Sequence, residues 1–214
     1  MRKIFLTSFV LIVFDQILKF WVKTHLFLGQ ELHVFDWFII HFTENNGMAF
    51  GMEFGGEFGK TILTLFRIIV VIMGIYYVKS IVNSKLSNGA LIALGLIIGG
   101  AIGNIIDSTF YGLIFSASGD IHTGGNPAQM FPEIGNYASL FQGKVVDMLS
   151  FPLFTVDLPN WLAIPIPFSE KTILSLLEGY DRKFTFFAPI FNIADAGISV
   201  GIFMILFFYR KEFS

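Results

Sequence analysis

Phe186–Tyr209 reads FFAPIFNIADAGISVGIFMILFFY, and Asp195 is the one charged residue within it. An apolar run of this length predicts a helix that crosses a membrane, because about 20 mostly apolar residues span the hydrocarbon core. A carboxylate inside such a segment costs about 2.5–3.5 kcal/mol on insertion scales. Asp195 is therefore the first candidate for a functional residue.

The composition is that of an integral membrane protein. The 214 residues are 54% hydrophobic and only 14% charged, whereas soluble domains are about a quarter charged. This length suits one compact domain over residues 1–214. The net charge of -2 and the lack of a basic run argue against a nucleic-acid partner, and the absence of Cys excludes disulfides and cysteine-type zinc sites.

Four apolar segments are long enough to span a bilayer, which predicts a membrane-embedded bundle of four α-helices. The predicted spans are about residues 4–22, 61–78, 90–106 and 186–209. No small-residue cleavage pattern follows the first span, so we expect it to be retained. Glycines recur at four-residue spacing in the third and fourth spans, which predicts faces that let helices approach closely. They are Gly95, Gly99 and Gly103, then Gly197 and Gly201.

Basic residues predict the orientation of the spans. They flank the chain ends and the short link at 79–89, and they are Arg2, Lys3, Lys79, Lys85, Arg210 and Lys211. Because cytoplasmic segments carry the excess of Lys and Arg, both termini are expected in the cytoplasm. The long loops, about 23–60 and 108–185, then face outward.

The outer loops are expected to carry additional structure. Residues 31–43 are rich in β-branched and aromatic side chains and lead to a turn at 44–47, which predicts strands of a small sheet on the outer membrane surface. Residues 169–177 suggest a short amphipathic helix near the interface. The predicted fold is thus a four-helix membrane bundle with a small extracytoplasmic β-sheet cradle and extended outer loops.

Asp15 and Lys19 form a charged pair in the outer third of the first span. They lie four residues apart and therefore share a helix face. The pair either neutralises itself, which makes insertion tolerable, or orients neighbouring polar groups.

Two Asn–Asp pairs lie at matching depth at the outer ends of the third and fourth helices. They are Asn104 with Asp107 and Asn192 with Asp195. A spacing of three places each pair on one helix face. The pairs either hold the helices together or belong to a functional site. Asp147, between apolar neighbours, is expected on a strand or extended loop that dips toward the bilayer, although such a residue alone is more often a solvated loop aspartate.

These residues favour chemistry by paired carboxylates. The chain has no His-Glu-x-x-His motif, its histidines lack metal-ligand spacing, and no Gly-x-Ser-x-Gly motif supports a serine nucleophile. A dyad of Lys144 with Ser139 or Ser150 has no support from spacing. Two aspartates about 3 Å apart share one proton, so that one activates water while the other polarises a peptide carbonyl. Such a site requires no metal and no cofactor.

The candidate residues occur in five stretches of the chain. These are Asp15-x-x-x-Lys19, Asn45-Asn46-Gly47-Met48-Ala49-Phe50, Gly99–Asp107, Val145–Met148 and Phe191–Asp195. In this order, and combined with four spans, they resemble the motifs of lipoprotein signal peptidase, also called signal peptidase II.

The resemblance implies an aspartic endopeptidase of the bacterial cytoplasmic (inner) membrane, with its active site at the outer face. Its expected partners are membrane lipid and diacylglyceryl-modified prolipoproteins, which it would cut just before the lipid-bearing Cys. Apart from the resemblance, we expect the protein to be a monomer. The resemblance further implies that Asp147 and Asp195 are the catalytic dyad. The residues expected to contact or position substrate are Asn45, Gly47, Asn104 and Asn192, and the expected structural supports are Asp15, Lys19 and Asp107.

The chain also departs from the family motifs. The third-helix motif usually ends in Asp-Arg, whereas Ser108 follows Asp107 here. Arg67 is the one arginine inside a predicted span. We hypothesise that it reaches the layer of Asp107 and Ser108 and supplies the missing cation; the alternative is that it extends to lipid headgroups. Residues 109–143 and 151–185 are additional relative to compact members, and the sequence assigns them no role.

Two other functions compete with the peptidase. A proton-coupled transporter or channel would use the same carboxylates as a relay, but transporters tend to show internal repeats and polar groups near the bilayer midplane. A non-catalytic assembly protein would use the polar residues only for packing. The sequence shows no internal repeat, and its polar residues cluster at the outer face, which favours the peptidase.

Overall fold

The predicted helices are present in the computed structural model, which describes residues 1–47, 56–82, 86–133, 135–157, 183–187 and 189–213. They are α1 (Arg2–His25), α2 (Gly56–Ile81), α3 (Asn88–Ile114) and α4 (Ile193–Met204), which continues as a π-helical segment (Ile205–Tyr209) and a 3-10 turn (Arg210–Glu212). Within the described residues, four helical segments are long and apolar enough to cross a membrane. Large apolar side chains such as Phe5, Phe66 and Phe207 project outward from them. The predicted multi-pass membrane bundle is confirmed.

The fourth helix begins later than the sequence predicts. Asn192 is its N-cap, with extended backbone at φ -121° and ψ 177°, and its side chain accepts a hydrogen bond from Asp195 N. The Asp195 carboxylate accepts one in return from Asn192 N, which completes a capping box. The span therefore does not start near Phe186, and Asn192 does not share a helix face with Asp195. Asp195 lies in the first turn, where the helix dipole favours a negative charge.

A three-stranded antiparallel sheet lies where α1 and α3 end. Its strands are β1 (Glu31–Phe35), β2 (Phe38–Asn45) and β3 (Val145–Ser150), in the order β1-β2-β3. A separate antiparallel pair consists of β4 (Phe154–Asp157) and β5 (Lys183–Phe186). The predicted strands of the first loop and around Asp147 are confirmed, but the turn predicted at 44–47 begins later, because Glu44 and Asn45 still pair with β3. The amphipathic helix expected at 169–177 lies outside the described residues.

The two faces of β2 and β3 carry different side chains, because successive residues of a strand alternate. Phe42, Val146 and Met148 enter a buried apolar core together with residues of α1 and α3. By alternation, Asn45 and Asp147 belong to the other face. The sheet therefore has a core face and a polar face.

Glycines let α3 approach its neighbours closely. A Cβ at Gly99 would lie 2.7 Å from Ser8 Cα of α1, and one at Gly100 would lie 2.3 Å from the backbone oxygen of Ala194 in α4. Gly201 of α4 meets the backbone of α3 in the same way. The predicted small-residue faces are confirmed, and they bring the polar ends of α3 and α4 together.

The chain ends and the link between α2 and α3 meet at the opposite end of the bundle from the sheet. Lys3 Nζ donates to Asn88 Oδ1 at 2.5 Å, and Ser87 N donates to the Glu212 carboxylate at 2.7 Å. Both termini therefore lie on one side of the molecule, as four spans require.

Candidate active site

Asp195, in the first turn of α4, is held by an asparagine of α3. Asn104 Nδ2 donates to Asp195 Oδ1 at 2.7 Å, and Asp195 Oδ2 accepts the capping bond from Asn192 N at 3.4 Å. Asp195 is only half-buried. Its carboxylate is therefore fixed in direction and still accessible to a ligand.

Asp147, on β3, is held by two asparagines. Asn192 Nδ2 donates to its Oδ1 at 2.6 Å, and Asn45 Nδ2 donates to its Oδ2. Asn192 Nδ2 also faces Asn104 Oδ1 at 3.1 Å. A continuous polar chain thus runs from Asp147 through Asn192 and Asn104 to Asp195, so two residues of the predicted set connect the two aspartates.

The two aspartates interact electrostatically. The pKa of Asp147 is raised to about 7, first by burial and next by the negative charge of Asp195, against the opposing effect of its hydrogen bonds from Asn192 and Asn45. Near neutral pH Asp147 therefore exists both as the neutral acid and as the carboxylate, so its carboxyl can either donate or accept a proton.

A layer of polar side chains from α1 and α3 lies beneath these residues, and Lys19 of α1 is its buried centre. Its Nζ lies 2.9 Å from Asp15 Oδ2, 2.7 Å from Asp107 Oδ2 and 2.9 Å from Asn104 Oδ1. Because the Asn104 oxygen accepts from Lys19, the amide nitrogen is left to donate to Asp195. The sequence left open whether the Asp15–Lys19 pair neutralises itself or orients neighbouring polar groups. In the structure it does both, because Lys19 pairs with two carboxylates and also orients the Asn104 amide.

Asp15 connects α1 to the beginning of α4. Its Oδ1 accepts from Ala194 N at 2.9 Å, one of the N–H groups that a helix N-terminus leaves without a partner. A Cβ at Gly103 would lie 3.0 Å from Asp15 Oδ2 and 3.2 Å from Ala194 Cβ. The contact therefore needs a glycine in α3, and it places the first turn of α4 against α1.

Gln16 is a residue of this layer that the sequence did not single out. Its Nε2 donates to Asp107 Oδ1 at 2.9 Å and to Asp15 Oδ2 at 3.1 Å, while its Oε1 accepts from Tyr111 at 3.0 Å. Asp107 Oδ2 also accepts from Val146 N at 3.3 Å, which ties the layer to β3. The available signal was a second polar residue beside Asp15 in an apolar span.

Gly47 lies against Arg67 of α2. Its φ is +84°, which favours glycine, and a Cβ there would lie 2.5 Å from Arg67 Nη1. Arg67 donates to the Gly47 carbonyl, and its charge interacts with Asp195. The layer of Asp107 and Ser108, where we expected Arg67, already holds the buried lysine of α1. The rest of the glycine motif, residues 48–50, lies outside the described residues.

The segment between α3 and β3 covers the ends of the helices. α3 continues to Ile114, so residues 109–114 of the predicted insertion are helical. Ser108 is buried, and its carbonyl accepts from Gly143 N at 2.9 Å. The part of the predicted insertion that follows α3 is therefore 115–143, and its end packs beside the polar layer.

Two of the histidines pair with a glutamate on the sheet. His33 and His41 lie 3.4 and 3.0 Å from the Glu31 carboxylate. Among the residues that the structure describes, no group of three or more His, Cys, Asp or Glu side chains could hold a metal ion. The groups observed around Asp147 and Asp195 are amides, the lysine of α1 and the arginine of α2.

Comparison with known proteins connects this site to a family. The family model of signal peptidase (SPase) II matches residues 7–210. A lipoprotein signal peptidase from Porphyromonas gingivalis is 45% identical over 206 residues, covering 96% of this chain and 81% of the relative. A protein of the same name from Amoebophilus asiaticus is 35% identical over 199 residues, covering 91% of this chain and 72% of the relative.

Two solved structures, both described as bacterial membrane enzymes studied by the in meso method, share the fold. One has a TM-score of 0.60 at 22% identity and covers 100% of this chain and 91% of its own. The other has a TM-score of 0.56 at 22% identity and covers 96% of this chain and 91% of its own. The resemblance carried by the five motifs is thereby confirmed, and the chain belongs to the signal peptidase II family.

Proposed function

We propose that this family member is an aspartic endopeptidase that removes the signal peptide from diacylglyceryl-modified prolipoproteins. The observation that carries the proposal is the hydrogen-bonded chain from Asp147 through Asn192 and Asn104 to Asp195. The relatives from P. gingivalis and A. asiaticus are named lipoprotein signal peptidases, which supports this substrate class. The cut is expected just before the lipid-bearing Cys.

The proposed reaction starts with one proton on the aspartate pair. The ionised carboxyl takes a proton from water as the water oxygen attacks the scissile carbonyl carbon, and the protonated carboxyl gives its proton to the carbonyl oxygen. The resulting diol then collapses: the C–N bond breaks, the leaving nitrogen receives the proton taken from water, and one diol hydroxyl returns a proton to the other carboxyl. The pair is again singly protonated.

The surrounding residues have separate proposed tasks. Asn45 and Asn192 stabilise the ionised form of Asp147, because hydrogen bonds to a carboxylate favour its charged state. Asn104 does the same for Asp195. The segment from Asn45 to Gly47 is assigned to substrate contact. The proposed supports, which fix these groups from below, are Asp15, Lys19 and Asp107.

The proposed location is the bacterial cytoplasmic (inner) membrane, with both termini in the cytoplasm and the site at the outer face. The support is the excess of Lys and Arg at the chain ends and in the α2–α3 link. We further propose that residues 1–214 act as a single domain and a monomer.

Cleavage by the purified protein tests this function directly. Detergent-solubilised enzyme is incubated with a diacylglyceryl-modified prolipoprotein, with the unmodified precursor as the control. Release of a signal peptide ending just before the lipidated Cys, only from the modified form, is the expected result. Equal cleavage of both forms, or none of either, would refute the proposal.

Chelators are expected to leave cleavage unchanged. The proposed acid and base are aspartates held by amides, and the proposed reaction uses no metal ion to polarise the carbonyl. Rates are compared with and without a zinc-directed chelator at constant ionic strength. Inhibition that added zinc reverses would contradict this prediction.

Arg67→Gln is expected to lower kcat/KM by about 10- to 100-fold. The substitution removes a charge-assisted hydrogen bond to the Gly47 carbonyl, worth about 1.5–3 kcal/mol, and frees the substrate-contact segment. Steady-state kinetics on the lipidated precursor is the measurement, with Arg67→Lys as the conservative control that keeps the charge.

Ser108→Arg is not expected to rescue Arg67→Gln, because Ser108 is buried beside Gly143. Recovery of activity in that double variant would instead show that the cation acts at the Asp107 layer. Unchanged kinetics in Arg67→Gln alone would remove Arg67 from the site.

A further inference from the structure

A second buried ion pair lies on the core side of the sheet, and the mechanism above does not use it. Lys23, in the last turn of α1, pairs with Glu44 of β2, and their side chains are only 1% and 5% exposed. Lys23 Nζ donates to Ser118 Oγ at 3.0 Å, and Ser118 Oγ donates to the Glu44 carboxylate at 2.8 Å. We call these three residues the back cluster. A buried ion pair is weak evidence for stability, because desolvation offsets the attraction.

The back cluster lies directly behind the proposed active site. Glu44 and Asn45 are adjacent on β2, so their side chains point to opposite faces of the sheet. Glu44 pairs in register with Val146, which faces the apolar core. On the opposite face, Asn45 donates to Asp147. Anchoring Glu44 therefore fixes how far Asn45 reaches toward the aspartate.

The insertion 115–143 completes the cluster. It supplies Ser118, and the Lys23 ammonium lies 4.8 Å from the ring centroid of Tyr137 and 5.4 Å from that of Phe115. The Tyr137 hydroxyl accepts from Lys144 N at 2.7 Å, immediately before β3. The insertion therefore encloses the lysine and also holds the beginning of the strand that carries Asp147.

We propose that Lys23 and Glu44 are positioning residues, which act through β2 to hold Asn45 against Asp147, with the insertion 115–143 as their outer support. This inference rests on the proposed function in that it takes Asp147 as a catalytic carboxyl. It gives the insertion a task in the reaction beyond covering the helix ends.

Glu44 is suited to a permanent anchor. Burial alone would raise its pKa, but the Lys23 charge and the hydrogen bonds from Lys23 and Ser118 hold the pKa of Glu44 below its ordinary value. Glu44 is therefore ionised throughout the neutral range and does not titrate together with Asp147.

The pKa of Asp147 is a readout that would not change if Lys23 and Glu44 had a purely structural role. The hydrogen bond from Asn45 lowers the pKa of Asp147 against the raising effect of burial. Losing that bond should move the Asp147 titration to higher pH by about one unit. The other charges facing Asp147 are Asp195 and Lys19, and those facing Glu44 are Lys23 and Lys144. All four are retained in Glu44→Gln and Asn45→Ala.

The experiment measures the Asp147 titration by carbon-13 carboxyl NMR of the aspartate-labelled protein in micelles, with the signal assigned by its loss in Asp147→Asn. Glu44→Gln and Asn45→Ala are expected to shift the midpoint upward by a similar amount, and their double variant by no more than either alone. In cleavage assays, Glu44→Gln should lower kcat by about 10-fold with KM nearly unchanged, and the high-pH limb should move upward.

Three further variants keep the test decisive. Lys23→Met/Glu44→Gln removes both charges, so that no buried charge lacks a partner, and Ser118→Ala keeps both charges; each is expected to shift the titration upward. Glu31→Gln, on the same sheet at the exposed Glu31–His41 pair, should leave it unchanged.

The inference would be overturned if Asn45→Ala shifts the Asp147 midpoint but Glu44→Gln, Lys23→Met/Glu44→Gln and Ser118→Ala all keep the wild-type value. Failure of the wild-type protein to release a signal peptide would instead overturn the proposed function, because the titration needs no substrate.

Discussion

Asp147→Asn and Asp195→Asn are each expected to abolish detectable cleavage, a loss of about 10⁴-fold, while the protein stays folded and inserted in the membrane. Each substitution removes a group that must exchange a proton during the reaction, and general acid–base catalysis alone contributes about 10²- to 10⁴-fold. Asn has nearly the same shape and no charge to bury, so it keeps the packing around Asp147. Turnover is measured on the lipidated precursor, and folding by thermal unfolding in detergent.

Two other aspartates serve as controls for this pair. Asp36→Asn, in the exposed turn between β1 and β2 at the opposite end of β2 from Asn45, should leave turnover unchanged. Asp107→Asn should cost less than either dyad variant, because Asp107 contacts Lys19 and Gln16 and not the dyad. Near-normal turnover in Asp147→Asn or Asp195→Asn would show that the dyad is assigned wrongly.

The pH dependence of wild-type turnover gives a second test of the dyad. Because the pKa of Asp147 is raised to about 7, the singly protonated pair should be lost as the pH rises above that region, and activity should fall there. This midpoint belongs to the pair and not to one residue. Activity that keeps rising through pH 9 would argue against a protonated carboxyl in the rate-limiting step.

Lys19→Ala is expected to reduce the folded yield strongly, and more than it reduces turnover per folded molecule. The change leaves Asp15 and Asp107 without their shared cation. Both aspartates are buried, at 1% and 0% exposed in the structure. Removing one partner of a buried pair costs about 3–5 kcal/mol, a large part of the total stability of an ordinary domain. The measurement is the amount of monodisperse protein after purification, followed by thermal unfolding.

A double variant identifies the cause of that loss. Lys19→Ala/Asp15→Asn removes one of the two unpaired charges and keeps an oxygen that can accept from Ala194 N, so its folded yield should recover in part. If the double variant is no better than the worse single one, the two residues are not energetically coupled. Turnover per folded molecule should stay below wild type in both, because Asn104 loses the lysine that orients it.

Spacing and motifs were enough to predict the polar layer, because charged residues are conspicuous in apolar spans. They could not predict which partners meet across the bundle. Lys19 pairs with Asp107 of a different helix, and Arg67 meets Gly47 in a loop. Contacts of this kind depend on how helices pack, which a single sequence with helical periodicity leaves open.

Helix ends were the other source of error. The residues just before Asn192 are apolar like the span itself, so the predicted span included them. The capping box shows that the helix begins only after Asn192. At the first helix, ending the predicted span at Val22 left Lys23 in a loop. Its spacing of four from Lys19 was the signal that the helix and its buried charges continue outward.

The contact between Asp15 and Ala194 joins residues 179 positions apart, and this separation has a consequence for biosynthesis. A membrane protein leaves the ribosome N-terminus first, so Asp15, Lys19 and Asp147 are all made before Asp195 exists. Until the last helix is translated and inserted, the nascent chain contains one aspartate of the pair and no partner for it. We therefore expect proteolytic competence, which needs both aspartates of the proposed dyad, to arise only after the last helix has been made and inserted, and we expect a product truncated before Asp195 to be inert.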